Sequence, residues 1–299
     1  MRPNLALPTY NSAASVLWLN AVPVEHYENF PVASILLPPK LRRPIEAIYA
    51  FARTADDFAD EGDLPAVERL ARLDEYSRQL DNLEAGVRAK QPLFVELAKM
   101  IDQYQLPIPL FRDLLDAFKQ DVVKDRYANF DELLDYCRRS ANPIGRLLLH
   151  LFSVEDQAKL RMSDDICSAL QLINHWQDIA VDWRKNGRGR VYLPQNEMQD
   201  FGVADADIGA AVSNPAWQAL MAFQVSRARD MMHKGAPLAG MMPGRFGVEL
   251  RMIVAGGLTI LDKIDAVKGD VFNHRPTVTK LTWLGIMCRV VPAALMKRP

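Results

Sequence analysis

Cysteine is scarce in this sequence. Cys137, Cys167 and Cys288 are odd in number, far apart and form no C-x-x-C pair. That argues against a disulfide framework or a structural zinc site, and it fits a reducing compartment. Charge of one sign is lacking too. The chain carries 36 Lys and Arg against 37 Asp and Glu, a net charge of −1, and no basic stripe points to nucleic acid as a partner. No run of about 20 apolar residues exists, so no span of a bilayer is expected. The nearest approach is Trp283 to Met296, broken by Arg289 and Pro292, and it reads as a docked or membrane-surface segment. Met1 to Tyr10 shows no charged start followed by an apolar run. The expectation is therefore a cytoplasmic protein with peripheral contact at the inner face of the membrane. Alternating Val/Ile/Thr runs between turn residues are nearly missing. The Gly-x-Gly-x-x-Gly fingerprint of a dinucleotide site is absent.

What the chain has in quantity is apolar residues at helical spacing. Nearly half of its 299 residues are hydrophobic and 24% are charged, an ordinary globular balance. A chain of this length buries roughly three quarters of its unfolded surface, enough for a core with an internal cavity. Helical periodicity marks Arg42 to Glu61, Val67 to Leu83, Leu93 to Tyr104, Leu110 to Val123, Phe130 to Phe152, Asp156 to Arg184, Ala216 to His233 and Arg245 to Lys268. Pro44 suits a first turn, and Gly62 and Pro65 punctuate the end of the first helix. The breaks are short, the longest polar one being Lys185 to Arg190, and no repeat of fixed period is present. The reading is all-α and single-domain over residues 1–299. The core covers about 27–280, with a flexible N-terminus and a surface-docked C-terminal tail.

Two acidic constellations carry the chemistry. The first is Asp56-Asp57-Phe58-Ala59-Asp60-Glu61, and the second runs from Asn174 to Asp182 with Asp178 inside it. Asp56 and Asp60, like Asp178 and Asp182, are four residues apart and share a helix face, where like charges destabilise an isolated helix. Asn174 lies one turn further back on the second face. A hard divalent cation offsets such charge: Mg²⁺ takes carboxylate oxygens and keeps positions open for phosphate, with Mn²⁺ as the alternative ion. A lone D-x-x-x-D is usually an exposed surface feature, whereas two of them embedded in apolar helix can grip a metal cluster on a diphosphate. Arg53 shares the face of Asp56, and Arg188 and Arg190 stand in a glycine-bearing turn after the second motif. Arginine's fork suits phosphate. Spacing alone fits Arg53 equally well to an ion pair with Asp56 or Asp57, and fits the later arginines to a solvated loop.

Other residues have a plain and a sharper reading. His175 lies about 100° off the acidic face and suits packing better than magnesium, with a role in positioning water as the sharper reading. Asn142 and Gln177 are polar residues in apolar company that either hold the attacking water or satisfy backbone groups. Phe30, Phe51, Trp176 and Phe223 either shield a cation with their ring faces or pack. Met231, Met232, Met241 and Met242 form a loose rim or fill core.

These motifs resemble the squalene/phytoene synthase family. Tyr49 to Glu61 is similar to its first aspartate-rich signature. Asn174 to Asp182, followed by Gly189-Arg190-Val191-Tyr192-Leu193-Pro194, is similar to the second. Arg126-Tyr127, Tyr136-Cys137 and Gly145 stand where the family has its central helix, and Arg275 resembles an arginine near the family's C-terminal end. The resemblance extends from Tyr27 to Lys280. It implies the class I isoprenoid-synthase fold, a helical bundle around a central cavity, acting on a prenyl diphosphate. By position, Asp56, Asp60, Asn174, Asp178 and Asp182 would carry the metal–diphosphate site. Tyr49 and Arg53 would line it, and Arg190 and Arg275 would meet phosphate. Departures include Trp176-Gln177 before the second aspartate, Arg138 to Gly145 after the tyrosine–cysteine pair, and Gly257 where many members have an aromatic residue. With Glu28-Asn29-Phe30-Pro31 they resemble one bacterial branch, in which water rather than hydride ends the reaction and no NADPH is expected. Other branches condense two prenyl diphosphates. A non-catalytic helical assembly factor, or a handover between pathway enzymes, are further readings of the same fold.

Overall fold

Proline starts the first helix. In the computed structural model, which describes residues 38–185 and 189–296 (side chains through residue 292), α1 runs Pro39–Asp60 with Pro39 in its first turn. The helix begins one turn earlier than the sequence reading placed it, so Pro44 lies inside. Pro44 has no N–H for the carbonyl of Lys40. The hydroxyl of Tyr104 donates to that carbonyl instead, at 2.8 Å. Phe30 and Arg188 lie outside the described residues.

The helices α2 (Ala66–Glu84), α3 (Pro92–Tyr104) and α4 (Ile108–Val123) pack on the apolar face of α1. Phe51 is at the centre of this packing, with ring centroids of Tyr76, Phe94 and Phe111 at 5.6, 6.0 and 5.2 Å. The Phe94 and Phe111 rings meet Phe51 edge-on, and such contacts hold more than their area alone would.

The run expected from Phe130 to Phe152 is two helices, α5 (Phe130–Ser140) and α6 (Asn142–Leu151). Pro143 has no N–H to continue the ladder, and the chain turns at Ala141 (φ −120°, ψ −46°). α7 (Gln157–Arg184) is the longest helix described, about 42 Å at 1.5 Å per residue. Asp156 caps it, accepting from the N–H groups of Ala158 and Lys159 at 2.8 and 3.0 Å. Short helices α8 (Gln195–Asp200) and α9 (Asp205–Gly209) follow, then α10 (Pro215–Gly235), α11 (Leu238–Met241), α12 (Gly244–Ala266) and α13 (Lys280–Met296).

α7 is the axis of the fold, packed by α5, α6, α10 and α12. Glycine permits the closest approach. A Cβ on Gly235 of α10 would stand 2.5 Å from the backbone oxygen of Met162. One on Gly257 of α12 would meet Met232 and Leu170 at 2.8 and 3.1 Å, so neighbouring side chains fill the space beside this glycine. α1 and α7 themselves scarcely touch, and this separation leaves room between the acidic faces. One apolar core extends from Leu41 to Ile286. Among the described residues there is no strand, only a parallel bridge between Tyr127 and Pro194.

From Lys280 the segment after Pro276 is helical. α13 is an unbroken helix through Arg289 and Pro292, because Trp283, Ile286 and Val290 dock on the core. Gly256 leaves space for the Trp283 ring, which would lie 3.0 Å from a Cβ there.

Candidate active site

On α1, Tyr49, Arg53, Asp56 and Asp60 follow spacings of four, three and four residues, which keep one narrow stripe on a 3.6-residue helix. The opposite face is the Phe51 packing. The stripe is half-buried. Arg53 contacts Asp56 at 3.4 Å and Asp57 at 2.7 Å, so the ion-pair reading of this arginine holds here. The last turn of α1 is fixed from outside. The buried guanidinium of Arg69, from α2, donates to the carbonyls of Leu64, Phe58, Ala59, Glu61 and Gly62. These carbonyls have no helical partner, and one planar fork satisfies them together.

On α7, Asn174, Asp178 and Asp182 make the corresponding stripe, each half-buried. Arg275 clasps Asp178 with two bonds, 2.6 and 3.1 Å. Gln177 donates to the carbonyl of Pro276 at 2.6 Å, so it holds the loop that carries Arg275. Asn142 accepts from Ser168 at 2.9 Å, both buried.

The loop after α7 closes the site. Residues 189–195 are pinned to the segment after α4 by Val191 N–H to Asp125 O (3.0 Å) and Gln195 N–H to Tyr127 O (2.8 Å). Arg190 is thereby turned inward and buried. It donates to Asp60 (3.0 Å), the Tyr192 hydroxyl (3.3 Å) and the backbone carbonyl of Asp121 (2.8 Å). Lys185 reaches the other oxygen of Asp60 at 2.8 Å. Behind them the buried carboxylate of Asp121 accepts from the hydroxyls of Tyr136 and Tyr192 at 2.6 and 2.9 Å. The His175 ring stacks on Tyr192 with centroids 3.6 Å apart.

The electrostatics follow from this enclosure. Burial, then the charge of Asp60, pushes Asp56 up to about 7. Its side chain is 39% accessible, so the carboxyl reaches solvent while protein crowds around it. Burial and the neighbouring Asp178 push Asp182 up to about 7, with Asp60 adding to it across the gap. Burial also acts to raise Asp60, but Arg190 and Lys185 outweigh it and hold this carboxyl below the usual range. Burial, against Arg190, takes Asp121 up to about 6. Burial and Arg190 hold His175 down to about 3, a neutral ring. Each acidic stripe thus has one carboxylate clamped by cations and one whose negative charge is poorly tolerated.

Of the two readings of Phe51 and Trp176, shielding a cation from a cavity wall or packing, packing is the one found. Phe51 and Trp176 have no accessible surface, and a ring that touches no water-sized space lines no cavity. Phe223 stands on the outer side of α10, 41% exposed, with Arg227 over its ring. Met232 and Met242 are buried core, whereas Met241 is exposed. Three site residues escaped the sequence reading, and each left a signal. Asp121 and Arg69 occupy apolar positions of their helices, in line with Leu114 and Phe118 and with Leu73, Tyr76 and Leu80 respectively. Lys185 follows Asp182 by three residues.

The donor set suits a hard cation. Asp56, Asp60, Asn174, Asp178 and Asp182 offer only oxygen from their carboxylate and amide carbonyl groups, and the raised Asp56 and Asp182 mark negative charge in want of a counterion. Among the described residues no three acidic or imidazole groups converge into a ready cage.

An all-helical bundle with two acidic helix faces across a recess, and arginines and lysine between them, defines the class of prenyl-diphosphate-handling helical enzymes. The squalene/phytoene synthase family model matches residues 24–282, and the chain belongs to that family. It is 37% identical to the hydroxysqualene synthase of Rhodopseudomonas palustris over 76% of each chain. It is 35% identical to that of Zymomonas mobilis over 88% of each. The crystal structure of squalene synthase HpnC from Alicyclobacillus acidocaldarius superposes with a TM-score of 0.74 at 36% identity, covering 82% of this chain and 90% of that one.

Proposed function

We propose that the chain acts as a hydroxysqualene synthase, converting presqualene diphosphate and water to hydroxysqualene and diphosphate. The observation that carries this reading is that Lys185, at the end of α7, and Arg190, just beyond it, both bond Asp60 of α1, while Arg275 bonds Asp178 on α7. The similarity to hydroxysqualene synthases over most of the chain selects the reaction within the family.

In this reading Asp56, Asp60, Asn174, Asp178 and Asp182 hold Mg²⁺, with Mn²⁺ as a substitute. Once bound, the ion supplies positive charge to the phosphate oxygens as the leaving group departs. The chain's own cations do the rest of the binding. Arg53, Lys185, Arg190 and Arg275 meet phosphate oxygens, the first two and Arg275 by exchanging a carboxylate partner for phosphate. Arg190 keeps its bond to the Asp121 carbonyl and so stays aimed into the recess. The carbon–oxygen bond to diphosphate breaks with its electron pair. A water oxygen bonds to the rearranged carbocation and gives up a proton to the diphosphate, which left with the bonding electron pair. Tyr136 and Tyr192, with phenols raised by burial, remain protonated and hold Asp121 in place. No hydride donor takes part.

The test is incubation with presqualene diphosphate and Mg²⁺, without NADPH, followed by mass spectrometry. A hydroxylated C30 alcohol is expected. Condensation of farnesyl diphosphate, as in the squalene- or phytoene-forming branches, contradicts the reading, and so does an absence of turnover.

A further inference from the structure

α13 has two apolar sides, and only one is covered. Trp283, Ile286 and Val290 face the core. On the other side Leu281 is 81% exposed, Leu284 55% and Met287 45%, and Cys288 is exposed as well. At 100° per residue, Leu281, Leu284, Met287 and Cys288 fall within one arc of about 120°. Arg289 lies outside the arc, and Lys280 falls within it at the first residue of the helix, one position before Leu281. Scattered surface leucines need no explanation, but a contiguous apolar patch of this kind marks an interaction site.

Charge selects the occupant. From residue 271 to 299 the sequence has five Lys or Arg (Arg275, Lys280, Arg289, Lys297, Arg298) and no Asp or Glu, in a chain whose net charge is −1. Pairing this face with a second copy would bring like charges together. An anionic lipid surface offers acyl chains to the leucines and phosphate headgroups to the flanking cations. No described helix is long and apolar enough to cross a membrane, so the helix would lie in the interface.

We propose that the outer face of α13 docks the protein on an anionic membrane surface. The docking stands on α13 alone and does not depend on the reaction proposed above. Its use does depend on that reaction. Five residues, at most about 18 Å of chain, join Lys280 to Arg275, which clasps Asp178, so the recess opens near the lipid that dissolves a C30 substrate and its product.

The test is co-sedimentation of the full chain, without substrate, with vesicles of phosphatidylglycerol and phosphatidylcholine and with vesicles of phosphatidylcholine alone. The wild type is expected to sediment with the anionic vesicles only. Leu281→Glu/Leu284→Glu should lower the bound fraction at least roughly tenfold with an unchanged melting temperature, since both side chains already face water. Lys280→Glu/Arg289→Glu should weaken binding to anionic vesicles specifically. A wild type that stays in the supernatant, a leucine variant that binds as well as wild type, or equal binding to neutral vesicles overturns the proposal. A dimer in light scattering that the leucine variant dissolves assigns the face to a second copy and also overturns it. Turnover of detergent-dispersed substrate by the leucine variant, measured in parallel, reports on the reaction separately.

Discussion

The acidic stripes of α1 and α7 share a spacing but not their countercharges. On α1 the clamped member is Asp60, held by Arg190, itself only 2% exposed and fastened to the Asp121 backbone. On α7 the clamped member is Asp178, held by Arg275 from an exposed loop, its side chain 41% accessible. The other members are Asp56, which has only the 3.4 Å contact of Arg53, and Asp182, and burial pushes both up to about 7. The difference teaches that one side of the recess has a built-in cation and the other a removable one. In the proposed reaction an arriving metal–diphosphate would displace Arg275 by moving a loop, whereas displacing Arg190 would take apart the buried tyrosine–aspartate network.

The largest expected effect comes from removing a carboxylate on either side. Asp56→Asn and Asp178→Asn should each lower turnover by roughly 10²-fold or more while circular dichroism remains that of the wild type; near-normal rates in both would refute the site. Stability should separate the two clamps. Arg190→Met leaves Asp60 and the Asp121 carbonyl short of a buried partner, and about 3 kcal/mol of unfolding free energy should be lost. Arg275→Ala removes an exposed pair and should change stability by less than about 1 kcal/mol. Equal losses in denaturant titrations would erase the distinction.

Much of this was legible beforehand. The stripes on α1 and α7 need only helical periodicity, and the resemblance of their motifs gave the family. The helix containing Asp121 and the one containing Arg69 were both read from their leucines, but a charged residue on an apolar face looks like noise until its partners are known. Those partners are 15 and 71 residues away for Asp121, namely Tyr136 and Tyr192. Phe51 and Trp176 stay open in the sequence because composition cannot tell a ring that packs from one that lines a space, and both pack. Short helices such as α9 (Asp205–Gly209) contain too little chain for a period to show.

Arg69 supplies a further, smaller contrast, since it supports the α1 stripe alone. Arg69→Met should cost about 2 kcal/mol by leaving helix-end carbonyls unpaired. Arg69→Lys should recover only part of that, because an ammonium cannot reproduce the fork. Full recovery in urea titrations would show that charge alone suffices. The smallest effect is a pH dependence. Asp182 binds its proton more readily folded (about 7) than unfolded (3.8), so wild-type stability falls as pH rises through that window. Asp182→Asn lacks this loss, and its melting temperature relative to the wild type should climb from pH 4 to 7. A constant difference between the two proteins would contradict the raised value.

The most direct measurement of the central claim is calorimetric titration of inorganic pyrophosphate into the protein with and without Mg²⁺. Binding that requires Mg²⁺, and that weakens in both Asp56→Asn and Asp178→Asn, is the result expected of a recess gripped from two helices. Binding that is equally tight without the ion, or unchanged in either variant, would contradict it.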